Sequence, residues 1–398
     1  MAGTESFSTT LPQPLESSQQ QPSYEYLDYR IDEFDVDPNT QFQPLNIVVV
    51  GKGQLAEGYL KAVTEAGHNV ISVFGPAKQE NDKDFDMVRK TAKEMGVPDY
   101  MFSKLTDEKV VEELKNAKPD LIIGASLTAI LPDEVAELAL LGAYGWHPSL
   151  LPEYRGATAV AWQILNEEEE FGMSLNAFGR DDESKVPNQP VKRNKPLPIG
   201  SVENDEKDTL DKGPILARRV VPRNHEYPTT SATFPNVLFP AGIEFLVEVT
   251  NKMAIAKDMG LIFRGEPQID GTGSYQPIME KVAHAKVDPI EPAHRGKAII
   301  DAASNNPGAW LYDENGKMIS LYGASVVEGD PQKPGMLSQI VELEEGKGYL
   351  LIGTGQDLLA ITTLRTGEII EGKEKKGKLT SAPQFAADNN IVVGHTFT

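Results

Sequence analysis

His147 stands at the end of an apolar run, directly before a proline-bounded loop, in the stretch His147-Pro148-Ser149-Leu150-Leu151-Pro152-Glu153-Tyr154-Arg155-Gly156-Ala157. An imidazole titrates near neutrality, so it can take a proton from a nucleophile and hand it to a leaving group within one cycle. Arg155 adds a charge that can hold an anionic substrate or cap the loop, beside a Gly-Ala helix entry. The chain contains no cysteine, which removes thiolate nucleophiles, thiolate metal sites and disulfides. No metal is expected. Gly51, Gly53 and Gly58 imitate a dinucleotide fingerprint, but the spacing is GxGxxxxG and the second apolar run ends in Phe74-Gly75 without a carboxylate for a ribose. That pattern argues against NAD.

The bulk of the chain narrows the partners. Its 398 residues allow two to three domains. No apolar run approaches the ~18 residues of a membrane span, so no membrane partner is expected. A net charge of −21 repels phosphate backbones and disfavours tRNA and DNA, although Lys192, Arg193 and Lys195 form a local basic trio. The N-terminus has neither a signal-peptide apolar region nor the Arg-rich character of a transit peptide, so a cytoplasmic location is expected.

Several elements must position the histidine. Residues 1–44 are polar, then acidic and aromatic, and their composition predicts a disordered or loosely docked acidic arm. Short β-branched runs at Asn46–Gly51, Asn69–Phe74 and Asp120–Ala125 alternate with helical stretches at Leu55–Ala66, Lys83–Met95 and Pro132–Leu141. This alternation predicts an α/β fold with a doubly wound, mostly parallel, Rossmann-like sheet over 45–259. The proline-rich, polar stretch 182–207 reads as an insertion beside the site mouth. A long amphipathic helix is expected over Asn236–Met259, and 260–306 reads as a connector. From 307 to 398 short strands recur, with Asn315-Gly316 as a hairpin turn between Ala309–Tyr312 and Met318–Tyr322. Further strands are expected at Ser338–Leu343, Tyr349–Gly353 and Leu358–Leu364, together a small OB-like β-barrel.

The histidine stretch resembles the HxSLLPxxRGA signature of the formyltransferase superfamily, whose members use 10-formyltetrahydrofolate. Leu210-Asp211-Lys212-Gly213 is similar to the LDTG loop of that family, and Phe239-Pro240-Ala241-Gly242-Ile243 is close to the FPEGI of its hydrolase/dehydrogenase branch. Pro307-Gly308-Ala309-Trp310 matches that branch's PGAW. The resemblance implies His147 and Asp211 as the catalytic pair and 10-formyltetrahydrofolate as donor. It places the folate on Ala125, Ser126, Leu127, Thr128, Ala129 and Ile130, and on the loop Ser149, Leu150, Leu151 and Pro152. Arg155 is implied as a substrate contact. The family loop has Thr and Asp where this chain has Lys212 and Pro214.

Formyl transfer is an acyl transfer, and it needs a proton shuttle and a donor facing the developing oxyanion. A carboxylate beside the imidazole orients it and favours its charged form. Most of the family carries Asn two residues before the histidine; here that position is Gly145. The lost amide leaves a volume that waters are expected to fill, which favours water as nucleophile. The leading expectation is therefore a hydrolase module of the 10-formyltetrahydrofolate dehydrogenase type, without the aldehyde dehydrogenase domain. The alternatives are methionyl-tRNA formyltransferase or transfer to another amine, and a non-catalytic folate-binding protein.

Overall fold

The computed structural model describes residues 24–76, 87–103, 105, 107–127, 131, 133–178, 198, 201, 210–269, 272–304, 306–370 and 373–398. The expected insertion over 182–207, with the basic trio, lies outside the described residues apart from Pro198 and Ser201.

The first half of the chain builds one sheet. Its strands are β2 (Asn46–Gly51), β3 (Asn69–Pro76), β4 (Asp99–Phe102), β5 (Leu121–Ala125), β6 (Ala143–His147), β7 (Glu170–Ala177) and β8 (Ile215–Pro222), in the order β4-β3-β2-β5-β6-β7-β8. The β4, β3, β2, β5 and β6 pairings are parallel, and β6–β7 and β7–β8 are antiparallel. β2 and β5 read as continuous apolar runs because both faces are covered: Ile47, Val49 and Ile123 face one core cluster, and Val48, Val50 and Ile122 face the other. The chain leaves β2 toward β3 and later crosses to β5, so the order reverses between β2 and β5. A crevice at strand carboxyl ends is expected there.

Helix α1 (Gly53–Glu65) follows β2, and α2 (Met87–Glu94), α3 (Glu108–Ala117) and α4 (Asp133–Ala136) follow the next strands. The helix expected over 132–141 is shorter, because Leu140 and Leu141 donate their N–H groups to the carbonyls of Pro119 and Asp120 and leave the helical path. α5 (Ala159–Leu165) is fully buried, and α6 (Thr230–Thr233) leads through a wide π-type turn, Phe234–Leu238, into α7 (Phe239–Asp258). The segment Thr230–Asp258 is long and apolar enough to cross a membrane by length and composition. Here Phe245, Leu246, Val249 and Met253 are spent on core packing, and Thr250 shares a 2.9 Å hydrogen bond with Tyr59 of α1.

The glycines of the apparent dinucleotide fingerprint serve packing. A Cβ on Gly58 would lie 2.2 Å from Cδ1 of Ile243, and one on Gly51 would lie 1.9 Å from the carbonyl oxygen of Ala125. The first lets α1 and α7 approach, and the second lets β2 end against β5.

Residues 24–44 are ordered and packed, which corrects the expectation of a disordered arm for this part. β1 (Glu25–Leu27) pairs in parallel with β9 (Leu261–Phe263), and Ile31 is 0 % exposed. Tyr29 and Phe34 each bring their rings 5.2 Å from that of Phe263, and Phe42 stacks on His68 at 4.8 Å. The acidic average of this stretch conceals regularly placed apolar anchors, whose burial offsets the cost of ordering the chain. Residues 1–23 lie outside the described residues.

The region 260–306 is more than a connector: it contains β9, α8 (Lys281–His284) and α9 (Ala293–Ala302), and α9 packs against α5. Beyond it a second, antiparallel sheet has β10 (Ala309–Tyr312), β11 (Met318–Val327), β14 (Leu358–Ile370), β13 (Gly348–Gly353) and β12 (Leu337–Glu342) in that order. β10 and β11 flank the Asn315-Gly316 turn, as expected from the dipeptide. β15 (Lys373–Lys376) and β16 (Thr380–Ser381) pair with β14, and α10 (Ala382–Asp388) packs against β13 and β14. The last residues join the two edges of this sheet: Tyr312 exchanges hydrogen bonds with Thr398, and Leu337 with Gly394 and His395. Edge N–H and C=O groups that would otherwise be left open are thereby paired.

Candidate active site

β6 ends on His147, which is 6 % exposed. Its Nε2 lies 2.9 Å from the carbonyl oxygen of Tyr154. A carbonyl only accepts, so Nε2 carries the hydrogen and Nδ1 is the acceptor nitrogen of the neutral ring. Nδ1 lies 3.5 Å from Oδ2 of Asp211, whose side chain is 30 % exposed against 8 % for the imidazole. Solvent therefore reaches the pair from the carboxylate side.

Asp211 is held from several directions. Its Oδ2 accepts the backbone N–H of Gly156 at 3.1 Å. The side-chain amide of Gln268 donates to the carbonyl oxygens of Asp211 (2.6 Å) and Gly213 (2.8 Å), which clamps the loop. Asp211 has φ +58°, a left-handed conformation that Asp tolerates better than most residues. Gly213 is required by close approach: a Cβ there would lie 2.0 Å from the carbonyl oxygen of Ala177.

The loop after His147 is spent on its own architecture. Ser149 is 0 % exposed and its hydroxyl donates to the Glu153 carbonyl at 2.6 Å. Ser174 of β7 donates to the Ser149 carbonyl at 2.7 Å and accepts the Leu151 N–H at 3.0 Å. Leu151 is 1 % exposed, Leu150 packs against Gly172, and the Pro152 carbonyl accepts from Ser274 N–H at 3.0 Å. These residues shape the site by holding His147 and the Tyr154 carbonyl. Tyr154 itself donates its hydroxyl to Glu168, and burial pushes that hydroxyl far above its usual range, so it stays a donor. Arg155 is 6 % exposed and its backbone bridges Ser274 and Gln276. Gly156 has φ +108°, and a Cβ would meet the Gln276 carbonyl at 2.4 Å, which accounts for the glycine of the Arg-Gly-Ala run.

Gly124 pairs with Gly145, so Ala125, Ser126 and Leu127 leave β5 level with His147 on β6. Ser126 turns the chain there with φ +55°. Thr128, Ala129 and Ile130, the rest of the expected folate loop, lie outside the described residues.

Two residues of β7 and its end escaped the sequence reading. Phe178 lays its ring over both glycines: a Cβ on Gly124 would lie 2.6 Å from its Cζ, and one on Gly145 2.7 Å. The volume expected to hold water beside Gly145 is therefore filled by an aromatic ring. Asn176 pairs directly with Gly145 and is 5 % exposed. Only cross-strand register brings either residue to the site, so no local spacing announces them.

Comparison with known proteins bears on the family and the fold. Residues 45–180 match the family described as Formyl transferase. This stretch resembles a formyl transferase domain. Methionyl-tRNA formyltransferase of Alkaliphilus oremlandii is 26 % identical over 342 residues, covering 84 % of this chain and 94 % of its own length. Mitochondrial 10-formyltetrahydrofolate dehydrogenase of Mus musculus is 26 % identical over 369 residues, which are 88 % of this chain but only 34 % of that protein. HypX from Aquifex aeolicus, solved in complex with tetrahydrofolic acid, superposes with a TM-score of 0.55 at 19 % identity over 87 % of this chain and 47 % of its own. The last likeness concerns the fold alone. This chain thus spans about the length of the transferase, a third of the dehydrogenase and half of HypX.

Proposed function

We propose that this protein takes the formyl group of 10-formyltetrahydrofolate and passes it to an amine. The observation that carries this reading is the His147–Asp211 pair, with Nε2 of the histidine anchored on a backbone carbonyl and Nδ1 turned to the carboxylate. End-to-end similarity to methionyl-tRNA formyltransferase supports transfer over the hydrolase module. In this reading the C-terminal sheet is OB-like, and the protein acts in the cytoplasm.

The acceptor amine attacks the formyl carbon and the carbonyl electron pair moves to oxygen. Nδ1 of His147 takes the proton released by the amine. When the oxyanion collapses, the bond to N10 breaks and N10 leaves with that proton, giving a formamide and tetrahydrofolate. Asp211 stabilises the intermediate imidazolium, and the Gly156 N–H keeps the carboxylate in place. Ala125, Ser126 and Leu127 offer backbone groups to the folate beside the imidazole.

Hydrolysis is the second reading, and what supports it is the 26 % identity over 88 % of this chain to the mitochondrial 10-formyltetrahydrofolate dehydrogenase. Donor labelled in the formyl carbon, incubated with methionyl-tRNA or with small amines, tests both. Label in a formamide is expected. Label released as formate at the same rate with and without amines would make the protein a hydrolase, and an untouched donor would remove both activities.

A further inference from the structure

We infer that Asn176 supplies the oxyanion donor that position 145 lacks, its amide reaching the formyl oxygen from the neighbouring strand. This inference rests on the reading of the site as one for formyl transfer.

β6 and β7 are antiparallel, with Gly145 opposite Asn176 and His147 opposite Ser174. Side chains two apart on a strand share a face, and directly opposed residues do too, with Cβ atoms ~5 Å apart. Tyr144, Trp146 and Leu175 all belong to the core cluster on one side of the sheet. Gly145, His147, Ser174 and Asn176 therefore share the other side. The amide of Asn176 rises beside the bare backbone of Gly145 and diagonally across from the imidazole.

Its other neighbour is the carboxylate loop. Asn176 pairs with Ile215 on β8, and the adjoining Ala177 donates its N–H to the Pro214 carbonyl at 2.8 Å while Gly213 closes on the Ala177 carbonyl. Asn176 thus lies between the strand that carries His147 and the loop that carries Asp211.

The amide is buried yet lightly engaged. At 5 % exposure, its Nδ2 makes a 3.5 Å approach to the Ala177 carbonyl oxygen, the outer limit of a hydrogen bond. An amide has two N–H donors, so one is left for a substrate oxygen even if that contact holds. Phe178, on the same face, fills the space above Gly124 and Gly145 and excludes water there. A donor in a dry site acts more strongly on developing charge. During attack the formyl C=O electron pair becomes an oxygen lone pair; the Asn176 N–H is donated to it, and no proton is transferred from the amide.

Asn176→Ala and the near-isosteric Asn176→Asp, which keeps the side chain's size but removes the donor, test this. Each is expected to lower kcat for formyl release from 10-formyltetrahydrofolate by ~10²–10³-fold, the usual cost of one oxyanion donor. KM for the donor, tetrahydrofolate affinity and melting temperature should stay close to wild type, because the donor acts in the transition state rather than in ground-state binding. If wild-type protein consumes the donor and both variants keep its kcat, Asn176 is not the donor and formyl transfer stands without it. If both variants lose kcat and tetrahydrofolate binding together, Asn176 is a structural residue and the inference is overturned. If wild-type protein leaves the donor intact, the reading of the site fails and this inference falls with it.

Discussion

Oδ2 of Asp211 lies 3.5 Å from Nδ1 of His147 and accepts the N–H of Gly156 at 3.1 Å. The carboxylate is thus aimed by backbone at the imidazole nitrogen that the Tyr154 carbonyl does not engage. Asp211→Asn preserves an acceptor for Gly156 but removes the negative charge. We expect kcat to fall roughly 10–100-fold, because the imidazolium formed during the reaction loses its counter-charge. Tetrahydrofolate affinity measured by calorimetry should hold. An Asn variant with wild-type kcat would reduce Asp211 to a loop residue.

Gln268 holds that loop through the carbonyls of Asp211 and Gly213. Gln268→Ala removes both bonds, each worth about 0.5–1.5 kcal/mol. The expected result is a lower melting temperature together with a loss of kcat that Gln268→Glu, which cannot donate when ionised, shares. Stability lost without any change in turnover would show that the clamp does not position the carboxylate.

His147 and Asp211 are legible in the sequence because each lies in a short contiguous stretch that resembles a family motif. Gln268, Asn176 and Phe178 are not, since each reaches the site through strand register or a long-range contact. Residues 24–44 misled for a related reason: averaging charge over the stretch hid Tyr29, Ile31, Phe34 and Phe42, whose partners lie far along the chain.

Phe178 also changes what substitution at Gly145 should do. A side chain there would meet the ring at 2.7 Å, so Gly145→Asn is expected to destabilise by about 1–3 kcal/mol, as overpacking does. Gly145→Asn combined with Phe178→Ala should recover part of that loss. Denaturant titration checks both, and a single variant as stable as wild type would mean that the ring moves aside freely.

His68 supplies a pH dependence of folding. Its Nδ1 accepts the Leu45 N–H at 3.1 Å and its Nε2 donates to Asn251 at 3.0 Å, an arrangement that requires the neutral ring. Burial lowers its pKa below the ordinary 6.5. The unfolded chain then binds the proton more readily, so this contribution is complete above about pH 6.5 and declines as pH falls toward the folded value. His68→Gln should flatten the fall in urea midpoint between about pH 7.5 and 5.5. An unchanged slope in that variant would assign the dependence to other groups.

The central claim is that Nδ1 of His147 moves the proton in release of a formyl group from folate. Its most direct test is tetrahydrofolate formation from 10-formyltetrahydrofolate by wild-type and His147→Ala proteins, with tetrahydrofolate binding measured in parallel. Turnover is expected to drop by at least ~10²-fold in the variant, the scale of lost acid-base catalysis, while binding is retained. Equal rates in the two proteins would contradict it.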